Sequence, residues 1–208
     1  MQAKETKLVE ILEGTKQFVV PLFQRSYSWT KKEWDILWND ITDLYEMDVP
    51  RVHFFGSIVN MPATSVPEGV AKYLLIDGQQ RLTTLMLILK ALSVVAENAG
   101  DDCYHEIEEQ YLHNKYCDEE FKVKLKPIKT DNNQFLLLLE GKIDEMDDDT
   151  HIYQNFMLCK ERFERWTEKG INPSQILDSL TKLEIVEIVL TKGEDDPQVI
   201  FESINSTG

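Results

Sequence analysis

The stretch A-K-Y-L-L-I-D-G-Q-Q-R-L-T-T-L-M-L-I-L-K-A-L-S-V-V-A-E, residues 71–97, changes its hydrophobic period in the middle, and that change decides the fold. Residues 71–76, rich in Tyr, Leu and Ile, read as a strand. From Gly78 to about Glu97 the apolar residues recur at helical spacing, with Leu82, Leu85, Met86, Leu89 and Leu92 on one side. Leu87, Ile88, Ala91 and Val95 lie on the other, and a helix apolar nearly all round belongs at the centre of a core. The expected class is therefore α+β, a small mixed sheet with a buried central helix followed by a mostly helical lobe.

Working outward, residues 53–61 are rich in β-branched and aromatic side chains and predict a second strand, joined to 71–76 by the Pro- and Gly-containing loop 62–69 in the manner of a hairpin. Upstream, Thr30-Lys31-Lys32-Glu33 has the form of a capping box, and Trp34, Leu37, Trp38, Ile41, Leu44 and Tyr45 then follow at helical spacing to about Met47. Residues 17–20 read as a strand ended by Pro21, and 6–13 as a short helix stopped at Gly14. Beyond Gly100 the sequence turns acidic and helical, with helices predicted over 131–140 and 150–169 around the solvated acidic run 144–149. Residues 120–127 alternate Phe121, Val123 and Leu125 with three lysines like an exposed strand, 183–190 read as a strand, and Asp196-Pro197 starts a last helix. A soft boundary falls between Gly100 and Asp102, dividing the chain into 1–100 and 101–208. Ending on a turn signal at Gly208, the chain is expected to be cut short.

With 208 residues, 42% of them hydrophobic, the chain can bury a sizeable core, which excludes intrinsic disorder. A net charge of −15 repels a phosphate backbone, so any contact with DNA has to be local or supplied by a partner. Cys103, Cys117 and Cys159 are too few and too far apart for a disulfide framework, which suits a reducing compartment. Residues 82–96 are too short and too interrupted by polar residues to span a bilayer. A cytoplasmic protein without membrane contact is expected.

The chemistry concentrates at Asp77-Gly78-Gln79-Gln80-Arg81, where strand turns into helix. Unpaired N–H groups and the positive end of the dipole at a helix start suit a phosphate. A plain capped turn, with Asp77 as cap and Gln80 reaching back, accounts for the same residues except Arg81. A cation in the first turn opposes the dipole by roughly 0.3–1 kcal/mol and calls for an anion nearby, either Asp77 or a ligand. The residues alone leave the capped turn and the ligand site evenly balanced. A second group, residues 21–29, would if extended put Phe23, Arg25, Tyr27 and Trp29 on one face, with Tyr27 and Trp29 open to base stacking worth about 1–3 kcal/mol per base. Packing of Phe23 and Trp29 under the 34–45 helix competes with that. Gly56 inside a strand pattern marks a bulge or a close approach. Histidines 53, 105, 113 and 151 are scattered, and neither a zinc site nor an HNH-type nuclease centre is legible.

Taken in order, P-L-F-Q-R-S-Y-S-W (21–29), F-G-S-I-V (55–59), I-D-G-Q-Q-R-L-T-T (76–84) and F-E-S-I-N-S-T-G (201–208) resemble the GmrSD restriction endonuclease N-terminal domain family over essentially the whole chain. The resemblance implies a ParB/sulfiredoxin-like fold and NTP hydrolysis in type IV-like phage-defence systems that attack modified DNA, and it tips the balance toward the ligand. By motif, Asp77, Gly78, Gln79, Gln80 and Arg81 become the phosphate-handling core, Gln24 and Arg25 face the same pocket, and Asn205 and Gly208 belong to a closing loop. It also implies an HNH-type nuclease domain in cis or in trans, so DNA cleavage by this chain alone is not expected.

The mechanism expected is one in which Arg81 and the amides of residues 78–80 neutralise the phosphates of an NTP, Arg25 adds a second positive contact, and Asp77 holds Mg²⁺ or orients the attacking water. Zinc, haem and flavin are not expected. Two alternatives stand beside it: a module that reads modified DNA through residues 24–29 without hydrolysis, and a scaffold whose motif is a capped turn with an internal Asp–Arg pair.

Overall fold

The strand Ala71–Asp77 and the helix Gln79–Ala99 meet with only Gly78 between them, as the change of period requires. The computed structural model describes residues 1–46, 53–63 and 69–205. In chain order the strands are β1 (Gln2–Lys7), β2 (Lys16–Val19), β3 (His53–Pro62), β4 (Ala71–Asp77), β5 (Leu125–Lys126) and β6 (Leu183–Val189). The helices are α1 (Lys31–Glu46), α2 (Gln79–Ala99), the short α3 (Cys103–Glu106), α4 (Lys129–Leu139), α5 (His151–Glu168), α6 (Pro173–Leu180) and α7 (Pro197–Asn205). Together they make the α+β architecture.

The sheet is mixed, in the order β1-β6-β3-β4-β2-β5. β3 and β4 pair antiparallel, as a hairpin demands, while β2 runs parallel to β4 and β6 parallel to β3. β5 and β6 come from beyond Gly100, so both halves of the sequence build one sheet. Alternation along the strands separates two faces. Ile58 and Leu75 join the main core with α2, whereas Val59, Met61, Ile76 and Leu190 form a smaller cluster to which Ile200 and Phe201 of α7 add.

α2 is the keel. Every residue from Leu82 to Ser93 is buried, and the helix packs against α5, α6 and α3. It is the one described helix long and apolar enough to cross a membrane, but it is used as the core of the protein. At the start of α1 one half of the predicted capping box forms, with Glu33 Oε2 accepting from the backbone N–H of Thr30 at 2.8 Å, while the Thr30 hydroxyl accepts from the N–H of Lys32 at 3.4 Å rather than from that of Glu33.

Two expectations fail. Residues 6–13 are not one helix, because β1 runs to Lys7 in antiparallel register with β6 and only Val9–Leu12 form a 3-10 turn. Pairing with a strand some 180 residues away overrides the local pattern. Residues 120–127 are not an exposed strand either. Phe121, Val123 and Leu125 are buried, only Leu125–Lys126 form a strand, with Val123 in an isolated bridge to His113, and Lys124 turns inward to donate to the carbonyls of Leu12 and Gly14, each at 2.6 Å. Burial pushes Lys124 down to about 8, and the two carbonyls supply the partners that a desolvated ammonium needs.

Candidate functional site

The β4–α2 junction is shaped by glycine. Gly78 has φ +92°, and a Cβ there would lie 2.9 Å from Ile58 Cγ1 and 3.1 Å from Ser57 O, so β3 presses directly against the turn. No side chain caps α2. Asp77 does not take that role, since its carboxylate turns instead to Arg81 Nη1 at 3.7 Å. Gln80 does not reach back to the cap either.

The three glutamines fasten the neighbouring loop to the junction. Gln80 Oε1 accepts from the N–H of Ser28 at 2.9 Å and its Nε2 donates to Ser26 O at 3.1 Å. Gln79 Nε2 donates to Arg25 O at 2.6 Å, and Gln24 Nε2 to Ile76 O at 2.7 Å. These amides match the dipeptide spacing of a passing backbone, so the glutamines are spent on holding the loop.

Arg81 runs along β3, donating from Nη1 to Ser57 O at 3.0 Å with its side chain about 35% exposed. Gly56 makes room for it, because a Cβ there would meet Arg81 Nε at 2.6 Å. The sequence offered a bulge or a close approach at Gly56, and both occur, since the β3–β6 register shifts between Phe54 and Gly56. Arg25 is exposed, and no carboxylate among the described residues pairs with it.

Around these groups opens a cavity of about 800 Å³, whose lining combines Gln24, Arg25 and residues 77–81 with the apolar Phe23, Trp29, Phe201 and Ile204. Three segments far apart in sequence, 23–29, 77–81 and 201–204, converge on it. Its charge opposes that of the chain, with two arginines against one aspartate. The Phe23 and Phe201 rings lie 5.4 Å apart, and Trp29 meets Trp34 and Phe55 edge-on.

The stacking pair expected from residues 21–29 has to be corrected. Residues 22–24 form a turn, which breaks the alternation, and Tyr27 is only 3% exposed. Its hydroxyl meets Thr84 Oγ1 at 2.9 Å and accepts from Trp34 Nε1 at 3.1 Å. Burial pushes that hydroxyl well above its ordinary range, so it stays a neutral donor and no ring face is left for a base. Trp29 keeps a place in the cavity wall, and Phe23 packs on Phe201 rather than beneath α1. Phe201 and Ile204 were missed as individual residues, although the helical spacing of 201 and 204 sets them on one face of α7. Asn205 is the last residue of α7, while Gly208 lies outside the described residues.

Residues 8–208 match the family model described as GmrSD restriction endonuclease, N-terminal domain. No curated protein matches the chain. With the match extending over nearly the whole length, the chain belongs to that family and is a module of a restriction system.

Proposed function

We propose, taking as premise that this restriction-system module carries the cavity just described, that it binds a nucleoside triphosphate, hydrolyses it, and uses nucleotide state to govern an HNH-type nuclease domain in cis or in trans. The observation that carries the reading is the convergence of an exposed Arg25 with no ion-pair partner among the described residues, an Arg81 about a third exposed and the uncapped start of α2 on one cavity whose lining also includes Phe23, Trp29 and Phe201. A ligand with an anionic head and a flat apolar body suits that mixture of cationic and aromatic lining, and the volume lies within the range of ligand-sized sites.

Phosphoryl transfer asks the protein for positioning and charge stabilisation rather than for a covalent nucleophile. Arg81 and the first N–H groups of α2 neutralise the phosphates, and Arg25 closes from the rim. The Asp77–Arg81 pair, at 3.7 Å and partly exposed, is worth about 0–1 kcal/mol, so a phosphate takes Arg81 over at little cost and releases Asp77 either to hold Mg²⁺ or to orient the attacking water. Mg²⁺ needs one or two carboxylates together with phosphate oxygens and keeps several waters. Asp77 is the one carboxylate among the described residues lining the cavity, fits that donor set and would hold the ion, which supplies further neutralisation of the phosphates. Modified DNA meets such a module locally or through its partner, since the chain as a whole carries −15.

The test is titration of the chain with ATP and GTP in the presence of Mg²⁺, with phosphate release followed in parallel. Wild type binds and turns over one of them, and Arg81→Ala lowers affinity and rate at least tenfold. An undiminished rate in Arg81→Ala overturns the role given to it. Binding of modified-base oligonucleotides alone makes the chain a reader of DNA, and a lower Tm in Arg81→Ala with no ligand for the wild type makes the motif a scaffold.

A further inference from the structure

The loop that carries Gln24, Arg25 and Trp29 to the cavity, residues 24–29, is held from three directions by side chains rather than by pairing of its own. From α2 come the amides of Gln79 and Gln80. From α4, Asp131 Oδ2 accepts the N–H of Tyr27 at 2.7 Å, and Thr130 Oγ1 lies 3.0 Å from Ser26 Oγ. From α5, Asn155 Nδ2 donates to Trp29 O at 2.7 Å and reaches the Tyr27 hydroxyl at 3.4 Å.

Asn155 is the informative member. It is 4% exposed on the face of α5 that also buries Ile152, Phe156, Cys159 and Phe163, where an apolar residue would pack without desolvation cost. An amide buried there is tolerable only because the loop consumes its donors. Asp131 does the same from a half-buried position, spending a carboxylate on one backbone N–H of the loop.

We infer that Asn155 and Asp131 are positioning residues for the cavity, through which helices α4 and α5 set the course of loop 24–29 and with it the reach of Arg25. The inference rests on the nucleotide reading for its effect on affinity, but its structural half stands apart from it. Neither side chain lines the cavity, so each acts through the loop. A lobe that shifts relative to α2 pulls on Trp29 O and the Tyr27 N–H together, and the cavity loses its rim cation.

The experiment uses the full chain and three variants, Asn155→Leu, Asp131→Ala and Asp131→Asn, the last of which retains an acceptor for the Tyr27 N–H. Amide hydrogen exchange is read at Tyr27 and Ser28, Tm is recorded, and ATP and GTP with Mg²⁺ are titrated by calorimetry. Asn155→Leu and Asp131→Ala are expected to speed exchange at these amides at least tenfold and to weaken nucleotide binding about tenfold, with Asp131→Asn restoring most of both. Should Asn155→Leu fail to fold, the Asp131 pair alone decides. Unchanged exchange in Asp131→Ala overturns the inference, as does faster exchange with unaltered nucleotide affinity. If wild type binds neither nucleotide, the nucleotide reading falls, and the exchange rates alone then uphold or overturn the control of the loop by α4 and α5.

Discussion

Two cations on the same helix are treated in opposite ways. At the start of α2, Arg81 sits 3.7 Å from Asp77 with about a third of its side chain exposed and no cap beside it. Nine residues later Lys90 is buried, 2.7 Å from Glu108 Oε1, and that carboxylate also accepts from Ser93 Oγ at 2.6 Å and meets His113 Nδ1 at 3.1 Å. Glu108 belongs to the π-helical turn Ile107–Leu112, which Lys90 and Ser93 pin to α2. Burial alone would raise its pKa, but the hydrogen bond with His113, the charge of Lys90 and the hydroxyl of Ser93 outweigh it and bring the group down to about 2. The contrast teaches what completeness means. A polar group with every partner supplied from within is fastening the fold, whereas one left part-exposed in the wall of a cavity is, on the proposed function, the group kept for a ligand.

The comparison can be broken or sharpened by experiment. The largest effect is expected from Glu108→Ala, which strands a buried ammonium. It should cost about 3 kcal/mol in denaturant unfolding, at the low end for a broken buried pair because Glu108 is itself a quarter exposed, and leave nucleotide affinity alone. A loss of affinity comparable to that of Arg81→Ala would abolish the distinction between the two ends of the helix. Arg25→Ala should weaken nucleotide binding about tenfold, close to 1.4 kcal/mol, with no measurable change in Tm, since the side chain is exposed and has no partner among the described residues.

A smaller effect is expected in acid. Because the folded pKa of Glu108 lies below its ordinary 4.5, its contribution to stability is present above pH 4.5 and is lost as pH falls toward about 2. Unfolding free energies measured across that window should therefore fall less steeply in Glu108→Gln than in wild type. Equal slopes would mean that the buried cluster does not hold Glu108 ionised.

Legibility was uneven for physical reasons. α2, α1 and the β3–β4 pair were readable because their periodicity is long and their ends carry capping or turn residues. α6 carried the same kind of signal in Asn172, Pro173 and Gln175, which form a capping box, but its short eight-residue run passed unremarked. β1 was not readable, because a solvent-exposed edge strand has no buried face to impose alternation. Within the candidate site, Asp77, Gly78, Gln79, Gln80, Arg81, Gln24 and Arg25 were all singled out and all line one cavity. What could not be read was how the side chains divide their labour, with the glutamines spent on the loop and Tyr27 turned into the core.

By itself the sequence determined the strand-to-helix turn, the burial of α2 and the family, because each depends on residues close together or on motifs in fixed order. The tertiary structure decided which polar groups are satisfied. Hydrogen-bond completeness depends on partners far apart in the chain, 128 residues in the case of Tyr27 and Asn155, and no local pattern records which side chain will arrive to meet a given carbonyl.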